Sequence, residues 1–330
     1  MSEAMRSGVR PRTTEPDQLR LLARVARMYH ERGLKQPQIA AELHLSQPRV
    51  SRLLKQAVEM GIVRTVVALP AGVYTDLEDQ VRDRYGLRDV VVVDAGGAAG
   101  EVFLALGAAA AQYLDATLTG REVIGISSWS ETLLSAVESM RPQNGQPSEQ
   151  VVQLVGGVGN PQVQVQATRL ASRLAELTGA EPVFLPAPGL VSSPEVRRAI
   201  MDDSSVADVV AAWGRVTMAL VGIGSLEPSP LLRSSGNAVV EADQEQLRRL
   251  GAVGDVCYRF FDDQGRLVRS ELDDRVMGIP PERLRSIPRR VGIAGGERKL
   301  SAIRAALLGG WVNVLITDLS MARRLLEAQA

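Results

Sequence analysis

The sequence predicts an α/β protein with a small N-terminal helix-turn-helix unit and a larger parallel-sheet body. Three observations predict it. Residues 17–61 hold three short segments whose apolar residues recur with the 3.6-residue period of a helix. From about residue 73 onwards, short β-branched runs alternate with helical segments, the pattern of strands buried on both faces of a parallel sheet. Charge divides at the same place: residues 1–70 carry 12 basic and 6 acidic residues, and the remainder carries 26 and 32. A net charge of zero therefore hides a basic head on an acidic body, and only the head suits a polyanion.

Composition removes several classes. With 330 residues, 45% apolar and 23% charged, the chain has room for one large domain and a small one. The single cysteine, Cys257, excludes an intrachain disulfide framework and a cysteine-based zinc site, and it suits a reducing cytoplasm. No apolar run approaches the roughly 20 residues that span a bilayer. Residues 1–17 carry charges, Pro11 and Pro16 but no apolar core, so a disordered arm is expected there rather than a signal peptide.

The head is expected over residues 18–69. Its first helix runs from about Gln18 to Arg32, with Asp17 as N-cap and Gly33 at the C-terminal turn. The second covers "QPQIAAEL", with Pro37 in the first turn and Lys35 where a better capping residue would stand, so its start is expected to be loosely held. After the turn "HLS", Ser46 caps the third helix, "QPRVSRLLKQAVEMG". There Val50, Leu53, Leu54 and Ala57 form the buried stripe and leave Gln47, Arg49, Ser51, Arg52 and Lys55 outward. Gln pairs with adenine and Arg with the guanine O6/N7 edge, so this front suits the major groove of double-stranded DNA. Gln36, Ser46 and Arg64 complete the expected DNA contacts, Arg64 from a winged-helix strand in "GIVRTVVAL". His30 and His44 both fall in the head without metal-ligand spacing, and no metal site is expected.

The body, residues 70–330, begins with a polar amphipathic helix at 75–86. Strands are expected at 89–94, 121–127, 150–157, 182–188, 218–224, 289–296 and 312–318. Helices are expected at about 100–118, 129–140, 162–178, 194–212, 241–250, 297–309 and 319–328. Ligands of such sheets bind beyond the carboxyl ends of the strands. Site-like residues collect there: Ser127, Ser128, Trp129, Ser130 and Thr132, then Gly156 and Gly157, then "GIG" at 222–224, then Gly295, Gly296 and Lys299 in "VGIAGGERKL". That last stretch reads as strand, tight turn and helix N-terminus with a lysine, an arrangement that favours an anion such as phosphate. "GAVGDVCYRFFDDQG" breaks the alternation as a hairpin with "DDQG" at its tip; its Asp255 is placed either to take sugar hydroxyls or to cap the hairpin.

Head and body together resemble the SorC family of bacterial transcriptional regulators, sometimes grouped with DeoR-type repressors. The stretches that carry the resemblance are "GLKQPQIAAELHLSQPRVSRLLKQAVEMGIVR", "LPAPGLV", "GAVGDVCYRFFDDQG", "RVMGI" and "VGIAGGERKLSAIRAALLGGWVNVLITD". The resemblance implies a body of the ribose-phosphate isomerase/glucosamine-phosphate deaminase type, used as an effector sensor and oligomerisation domain. It implies a sugar or polyol effector, typically phosphorylated, a carbohydrate operon under repression, and assembly to dimers and tetramers. By position it assigns Lys299 to the effector phosphate, Asp255 to effector hydroxyls and Arg233 to a second cationic contact. Residues 125–132 fall where the family often has a Gly-Trp-Gly loop, and serines replace the glycines here.

The competing class is a sugar-phosphate isomerase or deaminase-like enzyme with an appended head. Such an enzyme needs a base poised near neutral pH. The body has no histidine and no paired acid and base at recognisable spacing, so binding without catalysis, without a cofactor, is the expected role.

Overall fold

The computed structural model describes residues 16–63, 72–96, 99–143 and 145–328. It divides the chain into two units, residues 1–68 and 69–330.

In the first unit, α1 (Pro16–His30), α2 (Gln36–Glu42) and α3 (Gln47–Glu59) pack around Leu22, Val25, Ile39, Val50 and Ala57. Helix α1 starts at Pro16, so Asp17 lies within its first turn and is not the N-cap. Proline leads because its fixed φ suits the first helical position. The start of α2 is held from inside: Gln38 Oε1 accepts the Lys35 N–H at 2.8 Å, so this end is not loose. Ser46 occupies the N-cap position of α3 in extended conformation, but its hydroxyl makes no capping bond. The expected wing strand and Arg64 lie outside the described residues.

The body opens with α4 (Thr75–Tyr85), β1 (Asp89–Val93), α5 (Ala99–Thr117), β2 (Val123–Ile126), α6 (Glu131–Ser139) and β3 (Gln150–Gln153). It continues through α7 (Pro161–Thr178), β4 (Glu181–Val183), α8 (Pro194–Met201), α9 (Ser204–Trp213), β5 (Met218–Gly222) and β6 (Gly224–Ser225). Then come α10 (Pro230–Ser234), α11 (Glu241–Arg249), β7 (Ala252–Val256), β8 (Arg259–Asp262), α12 (Pro281–Ser286) and β9 (Arg289–Ile293). The last elements are α13 (Leu300–Leu308), β10 (Val314–Asp318) and α14 (Leu319–Glu327).

Seven strands form one sheet in the order β1-β10-β9-β5-β2-β3-β4, every pair parallel. Side chains alternate between its faces. Ile124, Ile126, Leu220, Ile293 and Ile316 face the core shared with α5, α6 and α7, while Val123, Ala219, Val221 and Leu315 face the core that includes Val81, Val209, Ala306 and Leu325. With both faces covered, all the C-terminal strand ends open along one edge.

Three expectations are corrected. The single helix expected at 194–212 is two, because Asp203 caps α9 by accepting the Ser205 N–H at 2.8 Å. The helix expected from 297 begins with a 3-10 turn at Glu297–Lys299 and becomes α-helical only at Leu300. The hairpin β7–β8 is present, but its tip is Cys257–Tyr258. Both take positive φ, 55° and 59°, as a two-residue turn of this hand requires. "DDQG" forms the next turn, where Asp262 Oδ1 accepts from Gln264 and Arg266 main-chain N–H groups.

Candidate functional site

In the head, the turn between α2 and α3 contains His44 at φ 51°, and Leu45 N–H returns to Ala40 O at 2.8 Å. This closes a two-helix corner that presents one side of α3. Gln47, Arg49, Ser51, Arg52 and Lys55 are all exposed there, as is Ser46 just before them, while Gln36 on α2 is half-buried. Their local bonds are weak: Arg52 Nε reaches Pro48 O at 3.4 Å, and Lys55 lies 3.9 Å from Glu59. An exposed pair of that length contributes little, so these groups remain available to a polyanion.

In the body, the second candidate site lies along the carboxyl edge of the sheet. Lys299, at the end of the 3-10 turn after β9, donates from Nζ to Ile223 O at 2.9 Å, just beyond β5. Burial pulls its ammonium below the usual lysine range, opposed by the charge of Asp255 and then of Glu131. Asp255, on β7, packs against Gly224, where any side chain would collide with its carboxylate. Its Oδ2 accepts the Tyr258 N–H at 2.9 Å, so it does cap the hairpin turn as well as face Lys299. Burial pushes Asp255 up to about 6, with the Tyr258 N–H and Lys299 pulling it down. Oppositely charged groups with perturbed titration along one strand edge make this a candidate site.

The serine loop is more committed to the fold than its hydroxyls suggest. Ser127 is half-buried, and its N–H continues the sheet to Leu220 O. Ser128 is buried and donates to Val155 O at 2.7 Å. Trp129 Nε1 donates to Gly156 O at 3.1 Å, which leaves only the ring for other contacts. Ser130 caps α6 by accepting Leu133 N–H, and Thr132 is half-buried in the first turn. Gly156 and Gly157 are buried: a methyl on Gly156 would strike the Ala187 and Pro188 carbonyls, and one on Gly157 would meet Gln153 at 2.6 Å. Their glycine identity follows from close packing. Arg233 is exposed in the last turn of α10.

Two carboxylates escape the sequence reading. Glu131, the first residue of α6, accepts the Leu231 N–H at 3.3 Å, and its neighbour Ser130 packs against Gly222 beside the strand end that Lys299 reaches. Asp318, the buried last residue of β10, accepts the Gly296 N–H at 2.7 Å and the Met321 N–H at 2.9 Å. Gly295 has no room for a side chain beside that carboxylate. The Gly296 N–H, expected to face an anion, is thus already taken by Asp318. Among the described residues there is no group of three or more His, Cys, Asp or Glu able to hold a metal ion, and no helix long and apolar enough to cross a membrane.

A helix-turn-helix head joined to a doubly covered parallel sheet with a charged, hydroxyl-compatible edge defines the class of ligand-responsive DNA-binding regulators. The chain belongs to the Sugar-bind family of sugar-binding domains, whose sequence model matches residues 71–327. It is 32% identical over 307 residues to the deoxyribonucleoside regulator of Bacillus subtilis, covering 92% of this chain and 96% of that one. It is also 32% identical over 317 residues to the sorbitol operon regulator of Klebsiella pneumoniae, covering 94% and 99%. The crystal structure of that full-length sorbitol operon regulator, SorC, superposes with a TM-score of 0.69 at 30% identity, covering 94% of this chain and 99% of that one. These relatives are transcriptional regulators, and this chain is a transcriptional regulator rather than an enzyme, in keeping with the SorC resemblance.

Proposed function

We propose that the chain represses a carbohydrate or polyol operon in the cytoplasm by binding double-stranded operator DNA through α3, and that a sugar-type effector at Lys299 and Asp255 changes that binding. The observation that carries the reading is one chain holding both an exposed polar face on α3 and a half-buried lysine beside Asp255 at a sheet edge. Relatives named for sorbitol and deoxyribonucleoside operons support the ligand class. Paired heads are needed to read a pseudo-palindromic operator, so the active form is a dimer or a tetramer built from dimers. A coupling of about 1–3 kcal/mol between effector and DNA would change operator affinity roughly 5–150-fold.

The test is a pair of substitutions read two ways. Arg49→Ala should weaken binding to the chain's own upstream DNA, measured by fluorescence anisotropy, by about 1–3 kcal/mol, with the effector-induced rise in Tm intact. Lys299→Ala should keep DNA affinity and lose the rise in Tm. If Arg49→Ala binds its operator like the wild type, α3 is not the reading helix.

A further inference from the structure

The charge count around Lys299 is the unusual feature of the sheet edge. The ammonium has one hydrogen-bond acceptor among the described residues, the Ile223 carbonyl, and two further donors to offer. Two carboxylates flank that carbonyl: Asp255 packs against Gly224 on one side of Ile223, and Ser130, the neighbour of Glu131, packs against Gly222 on the other. A third, Asp318, holds the Gly296 N–H that an anion at the glycine turn would need. One cation therefore stands beside two anions, and a third anion holds the N–H of its own loop. A phosphate ester adds about two negative charges here, and every one of these carboxylates opposes it.

From this geometry, and resting on the effector reading above, we infer that the effector is a neutral polyhydroxyl compound, a free sugar or polyol, and that Glu131 is the residue that bars a phosphate ester from Lys299. A hydroxyl both gives and accepts a hydrogen bond, so neighbouring hydroxyls can bridge a lysine donor and carboxylate acceptors without adding charge. Trp129 fits the same ligand class. Its N–H is committed to Gly156 O, so its half-buried ring offers an apolar surface to the C–H face of a sugar. Glu131 is the replaceable member of the set. It is exposed, it begins a helix, and its one hydrogen bond, to Leu231 N–H, needs an acceptor rather than a charge.

The experiment uses the full chain and inorganic phosphate as the probe, with thermal unfolding followed in phosphate and in chloride of matched ionic strength at pH 7.5. The wild type should show no phosphate-specific rise in Tm. Glu131→Gln keeps the acceptor for Leu231 and removes the charge. It should show a saturable rise, with phosphate affinity higher by up to about fivefold, the scale of one exposed charge removed. Adding Lys299→Ala should abolish that rise. A saturable rise already present in the wild type and lost in Lys299→Ala overturns the inference, and so does a Glu131→Gln variant that responds like the wild type. Should Glu131→Gln fail to fold, the wild type decides alone: each of a panel of pentoses, hexoses and polyols is compared with its phosphate ester, and an ester that stabilises better than its parent overturns the inference. A free sugar that stabilises Lys299→Ala and Asp255→Asn as well as the wild type is a different result. It would displace the effector site itself and leave the phosphate arm standing.

Discussion

Asp318 is the N-cap of α14 and the acceptor for the Gly296 N–H, so one buried carboxylate fastens both a helix start and the loop that carries Lys299. Asp318→Asn leaves a single acceptor. If it keeps the Met321 N–H, the amide's own N–H₂ faces Gly296 and the loop bond is lost. A hydrogen bond to a charged group contributes about 1.5–3 kcal/mol, so that is the expected cost. Asp318→Ala removes both bonds, and losing an N-cap adds about 0.5–2 kcal/mol, for a total of about 2–5 kcal/mol. The assay is urea unfolding of the full chain by tryptophan fluorescence. All three tryptophans, Trp129, Trp213 and Trp311, lie in residues 69–330, so the signal reports the body alone. With an m-value of about 2 kcal/mol/M, a loss of about 2 kcal/mol moves the midpoint by about 1 M. An Asn variant as stable as the wild type, or an Ala variant no worse than Asn, refutes the two-handed role.

The unfolded Asp255 carboxyl titrates near 4 and the folded one at about 6, so the folded state keeps a proton that the unfolded state has lost, and stability falls as pH rises through that window. Asp255→Asn, which retains an acceptor for Tyr258 N–H, should therefore exceed the wild type by about 1–3 kcal/mol at pH 7.5 and match it near pH 4; an advantage equal at both pH values would exclude charge burial as its cause. Gly156→Ala should cost about 1–3 kcal/mol through overpacking against the main chain of 187–188, read by the same urea transition, and no loss would return Gly156 to the ligand. Arg259 is 4% exposed and donates to the Ile279 and Gly278 carbonyls beside Asp273, so Arg259→Met should cost about 3–5 kcal/mol in that transition by leaving these acceptors unpaired.

The seven strands were legible because β-branched runs on a doubly covered sheet need no alternation to be recognised. Their ends were not. "PVFLPAP" is apolar throughout, yet main-chain pairing in β4 stops at Val183, and the Leu185 N–H goes to the Gln153 side chain instead. The order of strands depends on pairings between distant segments that no local pattern encodes. The site was legible in part for the same reason. Lys299 and Asp255 stand out as charges at glycine-rich strand ends, whereas Glu131 acquires its role from Leu231, 100 residues away. The hydroxyls of "SSWS" advertised a ligand loop, but Ser128 spends its donor on Val155, a neighbour that only the folded sheet supplies.

The position of β10 governs when the sensor can exist. It lies between β1 and β9, and among the described residues the only strand bonded to β1 is β10. During synthesis β1 emerges early and must wait, its edge open, until nearly all of the body has followed it. The head closes on contacts within residues 16–63 and has no such wait. A nascent chain therefore completes its three-helix head before it can complete the sheet whose edge carries Lys299 and Asp255.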